Sequence, residues 1–196
     1  LSHVLRGSRS TWSLIALFFF QITNMSDHNT IYVGVDNGLD GGLVALRGEE
    51  ICLKTIMPTR STGKGRQVMV SEIDDFLKTA GIHGLRVTVI LENASKHSPG
   101  TLALCSTWDT FGSIRTLLEI RRIRHEIVNP QKWQKQFWTN PKMPKSQKFD
   151  TKAAALTAAN KLWPNHDWTK SDRAYTPHDG MVDAALLAEY GRRNNL

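Results

Sequence analysis

Four acidic residues stand where apolar elements end or begin, a placement that chemistry at a phosphate can use. Asp36 closes the apolar run 31–35 (IYVGV) and leads into the glycine-rich corner NGLDGG. Glu92 closes a second, β-branched run at 86–91 (RVTVIL). Asp179 and Asp183 lie four apart in TPHDGMVDAALLAEYGRR, one turn along the same helix face. Like charges at that spacing repel by roughly 0.2–0.5 kcal/mol unless a cation lies between them. Carboxylates gathered from three elements form a donor set for hard divalent cations, and Mg²⁺ binds through few carboxylates together with water and substrate phosphate. Two such ions can activate a water and stabilise the leaving oxygen of an in-line phosphodiester cleavage. His178, beside Asp179, could assist as a proton shuttle or ligand, or serve only as a surface or capping residue.

Each acid also has a plainer explanation. Asp36 could end a hairpin strand, or belong to the phosphate loop of an actin-like kinase, since GVDNGLDGG fits that motif too. That second fold needs two such lobes, about twice this length. Thr176, Pro177 and Asp179 fit the N-cap, N1 and N3 positions of a capping box, with Asp in place of Glu. Asp183 has no comparable local role, because the apolar stretch Ala184-Ala185-Leu186-Leu187 follows it directly.

The elements that must position these residues follow in order. Residues 31–36, 43–46 and 51–57 form an antiparallel three-stranded meander turned at the glycine corner, where Gly41 and Gly42 would allow positive φ. Residues 58–66 (PTRSTGKGR) read as a basic, mobile loop. Val68, Val70, Ile73, Phe76 and Leu77 recur at near-helical spacing, with Gly81 ending the helix. After the Glu92 strand comes a polar loop at 93–100, then one long helix or a pair over 100–123. Its small residues Ala103, Ser106, Thr107 and Gly112 would pack against another helix of the chain or against a second copy. A short strand at 125–128, a short helix at 130–138, a Pro/Lys loop at 139–149, an alanine-rich helix at 150–163 and a final helix from Thr176 to about Arg193 complete the chain.

Length bounds the organisation: 196 residues fill one domain well, and we expect residues 25–196 to be that domain. Residues 1–24 hold no acid and an apolar run too short to span a bilayer. They read as a leader or upstream translated sequence ahead of Met25, with organellar targeting as the alternative. No transmembrane helix is expected. The net charge of +7 comes from 25 Lys+Arg against 18 Asp+Glu, and residues 121–170 hold 11 of the cations with 3 of the acids. Such a block implies a polyanionic partner. Trp133, Trp138, Trp163 and Trp168 sit within it, as core residues or stacking platforms. Cys52 and Cys105 have no metal-ligand spacing and read as buried free thiols.

Taken together, GVDNGLDGGLVAL, VILENASKHSPGT, EIVNPQKWQKQFW, DTKAAALTAANKLWP and HDGMVDAALLAEYGRR resemble, in the same order, the RuvC-like Holliday junction resolvases of the RNase H-like nuclease superfamily, in particular the phage and organelle branch. The resemblance covers nearly all of residues 31–193. It implies an α/β RNase H-like fold whose mixed five-stranded sheet, three antiparallel strands and then parallel ones, is flanked by helices. It also implies a homodimer that resolves four-way DNA junctions by symmetric paired nicks using Mg²⁺, with Mn²⁺ able to substitute, in a cytoplasmic or nucleoid setting. Asp36, Glu92, Asp179 and Asp183 then become the catalytic and metal-binding set, with Asp179 preferred to His178. Lys152 falls near the scissile phosphate, and Lys96, Lys132, Lys145 and Lys148 join it as DNA contacts. The corner glycines would be kept slim beside bound DNA, with Asp40 a turn residue. Residues 58–66 have no counterpart in the resemblance. An RNase H acting on RNA–DNA hybrids is the nearest alternative activity.

Overall fold

The computed structural model describes residues 29–63, 65–94, 100–139 and 149–196. The expectations for residues 1–24 and for Lys96, Lys145 and Lys148 lie outside these. Strands β1 (Thr30–Asp36), β2 (Gly42–Arg47) and β3 (Glu50–Ile56) form the antiparallel meander. Strands β4 (Thr59–Thr62) and β5 (Gly65–Val68) make a separate hairpin, followed by helix α1 (Val70–Ala80). β6 (Arg86–Glu92), α2 (Thr101–Arg121), β7 (Arg124–Val128), α3 (Pro130–Gln134), α4 (Thr151–Leu162) and α5 (Asp179–Arg193) follow. The main sheet runs β3-β2-β1-β6-β7, with β6 parallel to β1 and β7 parallel to β6. The expected mixed five-stranded sheet flanked by helices is present.

Strand alternation divides the core in two. Ile31, Val33 and Val35 of β1 face α1 and α2, packing with Ile73, Phe76, Ile114 and Leu118. Tyr32 of β1, Val44 of β2 and Ile90 of β6 face the other way, against Trp133 of α3, the alanines of α4 and the apolar length of α5. Helix α5 is buried almost throughout and packs mainly on β1 and β2. Near its C-terminal end the buried Glu189 accepts from Arg192 at 2.8 Å and from Arg193 at 2.6 Å, so that its charge is paired.

Several local expectations are corrected. Residues 59–68 are not a loop but a hairpin; Val68 ends β5 rather than opening α1. Because the hairpin's residues are mostly exposed, no apolar alternation marks it. Cys52 and Cys105 are exposed, not buried, since β3 is an edge strand and the first turns of α2 run outside the core. Ala103 and Gly112 are likewise exposed while Ser106 and Thr107 are half-buried, so the small-residue stripe is only partly covered within the described chain. Among the described residues no helix is long and apolar enough to cross a membrane.

At Gly34 in β1 a Cβ would come within 1.9 Å of the Ala184 carbonyl oxygen and 2.6 Å of the Ala188 nitrogen of α5. Gly34→Ala should therefore cost about 3 kcal/mol or more in urea unfolding, at the upper end of overpacking effects. Gly112→Ala, with nothing within 4 Å on an exposed helix face, should instead stabilise by ~0.5–1 kcal/mol.

Candidate active site

Glycines bring the four acids to one edge of the sheet. The corner after β1 tightens through Gly41 N–H donating to the Gly38 carbonyl at 2.8 Å. Gly41 pairs with Gly180 at the start of α5 in an isolated β-bridge. A Cβ on Gly180 would sit 2.5 Å from Gly41 backbone atoms, and one on Gly42 would sit 2.9 Å from the Gly180 carbonyl oxygen. Neither Gly41 nor Gly42 has positive φ. Their value is space: at Gly42 its occupant is α5, and at Gly41 it is the carbonyl of Asp36 within the corner, rather than DNA at either.

Asp36 and Glu92 end neighbouring parallel strands, with Val35 opposite Leu91, so their Cα atoms lie roughly 5 Å apart. Asp179 and Asp183 project from the first turns of α5 beside them. Burial comes first in raising the carboxyl of Asp36 from 3.8 to about 6; the Gly38 N–H opposes it at 3.2 Å, and the charges of Asp179 and Asp40 reinforce it. Burial, and then the charge of Asp36, hold Glu92 at about 8, against a pull from the Trp133 indole. Asp183 stands at about 7 through burial and the charges of Asp36 and Asp179, partly offset by Lys152. These mutual shifts bring Asp36, Glu92, Asp179 and Asp183 into one electrostatic cluster.

Asp179 is half-exposed and accepts from Lys152 Nζ at 2.5 Å, which ties α4 to the start of α5. That bond raises the Lys152 pKa and keeps a cation beside the acids. The capping-box reading of Asp179 is corrected: His178 is the N-cap, its Nδ1 accepting from Met181 N–H at 3.3 Å, and Asp179 is the first helical residue. The chain at 176–177 cannot start the helix because Pro177 bridges Thr169 and His178 N–H donates to the Trp168 carbonyl. Burial lowers the His178 pKa, so the ring stays neutral and able to accept. Asp40 is an exposed turn residue, as expected, and also pairs with Arg66 of the hairpin at 2.8 Å. Lys132 is exposed on α3.

Two supporting residues were missed in the sequence. Trp133, fully buried, donates its indole N–H to Glu92 Oε1 at 2.8 Å. Asn37, also buried, donates Nδ2–H to the Glu92 carbonyl at 2.6 Å and so fastens the end of β1 to β6. The Asn directly after Asp36 was the available signal for one, and the Trp inside a basic block for the other. Among the described residues no three His, Cys, Asp or Glu side chains already stand at metal-ligating proximity. The carboxylates still fit a hard cation by their chemistry: three acids are held partly protonated by burial and mutual repulsion, which a divalent ion would relieve.

No protein-family model matches the chain, and no curated protein matches it. Among solved structures, RuvC of Thermus thermophilus in complex with a Holliday junction substrate is similar over 84% of this chain and 96% of its own, at 10% identity and a TM-score of 0.52. A second Thermus thermophilus RuvC structure covers the same shares at 10% identity and a TM-score of 0.47. At this identity the likeness is one of fold: the chain has the RuvC/RNase H-like fold.

The raised carboxyls make a stability prediction. The folded chain keeps protons that the unfolded chain releases near pH 4, so this contribution is full below that pH and is lost as pH rises through about 6, 7 and 8. In metal-free buffer the urea midpoint of the wild type should fall from pH 5 to pH 9, and Asp36→Asn should flatten that fall by an amount of the order of 1 kcal/mol. Pairing wild type with variant cancels His166 and His178, whose lowered pKa values act in the opposite sense near pH 6.

Proposed function

We propose that this protein is a metal-dependent endonuclease that resolves four-way DNA junctions by paired, symmetric nicks. The observation that carries the reading is the convergence of Asp36, Glu92, Asp179 and Asp183 on one sheet edge of a RuvC-like fold. The RuvC structure it is similar to holds a Holliday junction, which supports branched DNA as the substrate class here. Asp36, Glu92, Asp183 and, with it, Asp179 would hold Mg²⁺ or Mn²⁺, two ions in all. Bound there, the ions would supply a more acidic water and charge stabilisation for the leaving oxygen.

The chain's own residues have separable parts in this scheme. Trp133 and Asn37 fix the side chain and backbone of Glu92. Lys152 lies within reach of a phosphate approaching Asp179 and would exchange its carboxylate partner for it. His178 caps α5 through Nδ1, so it is assigned a positioning part and Asp179 the ligand's. Lys132, together with Lys96, Lys145 and Lys148, would hold the DNA backbone. A second copy would seat on α2, which leaves Leu102 87% and Ile120 74% exposed beside the partly covered small residues. The likeness in fold supports the phage and organelle branch no more than others, and that assignment rests on the sequence motifs. Residues 25–196 would form the working domain, in a cytoplasmic or nucleoid setting.

Cleavage of a synthetic four-way junction in Mg²⁺ is the direct test. Asp36→Asn should lower the rate by more than the ~10–100-fold that follows loss of an outer-shell partner, with junction binding nearly intact. Chelation of the metal should have the same effect on the wild type. Mg²⁺ should also raise the wild-type melting temperature at pH 8 and leave that of Asp36→Asn unchanged. Equal cleavage by the variant would overturn the assignment, and preferential cleavage of an RNA–DNA hybrid would favour an RNase H.

A further inference from the structure

The basic block of the sequence is split by the fold. Lys132 and Lys152 follow the C-terminal ends of the strands, near the four acids, whereas Arg121, Arg122 and Arg124 stand at the opposite end. There the end of α2 and the starts of β6 and β7 line a cleft with Lys78, Arg86, Arg121, Arg122 and Arg124 around it. Its single acid, Asp74, is nearly buried and already held by Lys78 and Arg121. The guanidinium groups of Arg86, Arg122 and Arg124 are exposed and have no acidic or hydrogen-bonding partner among the described residues. Exposed arginines without counter-charge on three adjoining elements repel one another, and folding alone supplies no reason to gather them.

A second observation concerns Arg122. It caps α2 in the left-handed region, at φ 54° and ψ 36°, where glycine or asparagine is the usual residue. A side chain there is strained relative to glycine, a cost that a function of the side chain would explain. The conformation turns the chain out of α2 straight into β7, which sets Arg122 between Arg121 and Arg124 on the cleft.

We propose that this arginine cleft is a second nucleic-acid site, binding the phosphodiester backbone of a duplex arm away from the point of cleavage. Planar guanidinium forks match phosphate oxygens bidentately and carry no sequence preference. The site stands at the far end of β6 from Glu92, a seven-residue strand and so about 20 Å away. That distance corresponds to about 6 base pairs of duplex. An arm well beyond this length reaches the cleft, and one of about this length or less ends before crossing it. The identification of the ligand as a duplex arm rests on the nuclease reading above.

The test compares the wild type with an Arg86→Ala/Arg122→Gly/Arg124→Ala variant on junctions with arms of about 25 or about 6 base pairs. Each phosphate contact contributes about 0.9 to the slope of log K against log salt, so the variant should lose roughly 2–3 from that slope on long arms and nothing on short ones. Its cleavage rate at saturating junction should be unchanged. Arg122→Gly alone should melt at or above the wild-type temperature, because glycine is unstrained at that φ. An unchanged slope on long arms overturns the proposal and leaves the cleft to a non-nucleic ligand such as an acidic peptide. A loss of equal size on short arms overturns it too, as does a lowered melting temperature for Arg122→Gly. Because binding and cleavage are read separately, wild-type binding with the expected arm-length dependence but no cleavage would remove the nuclease reading and keep this site.

Discussion

The closest constraint in the molecule is backbone against backbone, where α5 lies on β1 and on the corner after it. Gly34, Gly42 and Gly180 are the positions at which a side chain would collide with main-chain atoms across that contact, and Gly41 the one at which it would collide with the corner's own Asp36 carbonyl. A helix normally stands off a sheet by the depth of its side chains, about 10 Å. Here the glycines remove that layer locally, and the first turn of α5 descends to the level of the strand ends. Only this descent puts Asp179 and Asp183 within electrostatic range of Asp36 and Glu92. The glycines thus set the position of the acids without contributing any chemistry of their own.

That closeness destabilises the cluster, and the surrounding structure absorbs the strain. Three carboxyls sit at about 6, 7 and 8 because burial and mutual repulsion both disfavour their charged forms. The hydrogen bonds that oppose this come from rigid donors: a backbone N–H in the corner and an indole locked in the core. Asn37 adds a tie between the two strand ends, and Lys152 a cation at the rim. The arrangement conforms to the general pattern in which functional sites hold unfavourable electrostatics that the rest of the fold must offset.

The sequence was informative where a single element carries its own signal. Asp36 and Glu92 were visible as acids ending apolar runs, and Asp183 as an acid leading into the apolar face of a helix. The five strands of the main sheet and the large helices followed from periodicity. What could not be read was set by partners distant along the chain. The corner glycines pointed to a turn, but their tight neighbour, Gly180, lies about 140 residues on. Thr176 and Pro177 formed a good helix start until pairing with residues 168–169 held them extended and moved the cap to His178. The β4–β5 hairpin escaped because both of its faces meet water, and the exposure of Cys52 and Cys105 depended on which strand and helix turns lie outermost.

The late position of α5 has a consequence for when the acid cluster can form. Asp36 and Glu92 are synthesised before the helix that completes their cluster, which begins 143 residues after Asp36. The same helix, with α3 and α4 beside it, covers one face of the sheet, so the central strands lack much of their apolar cover on that side until it docks. Contacts so far apart in sequence form slowly, since the loop must close before they repay its entropy. Until α5 docks, a nascent chain therefore carries an incomplete set of carboxylates on an unfinished core. Folding and assembly of the acid cluster are thus one event.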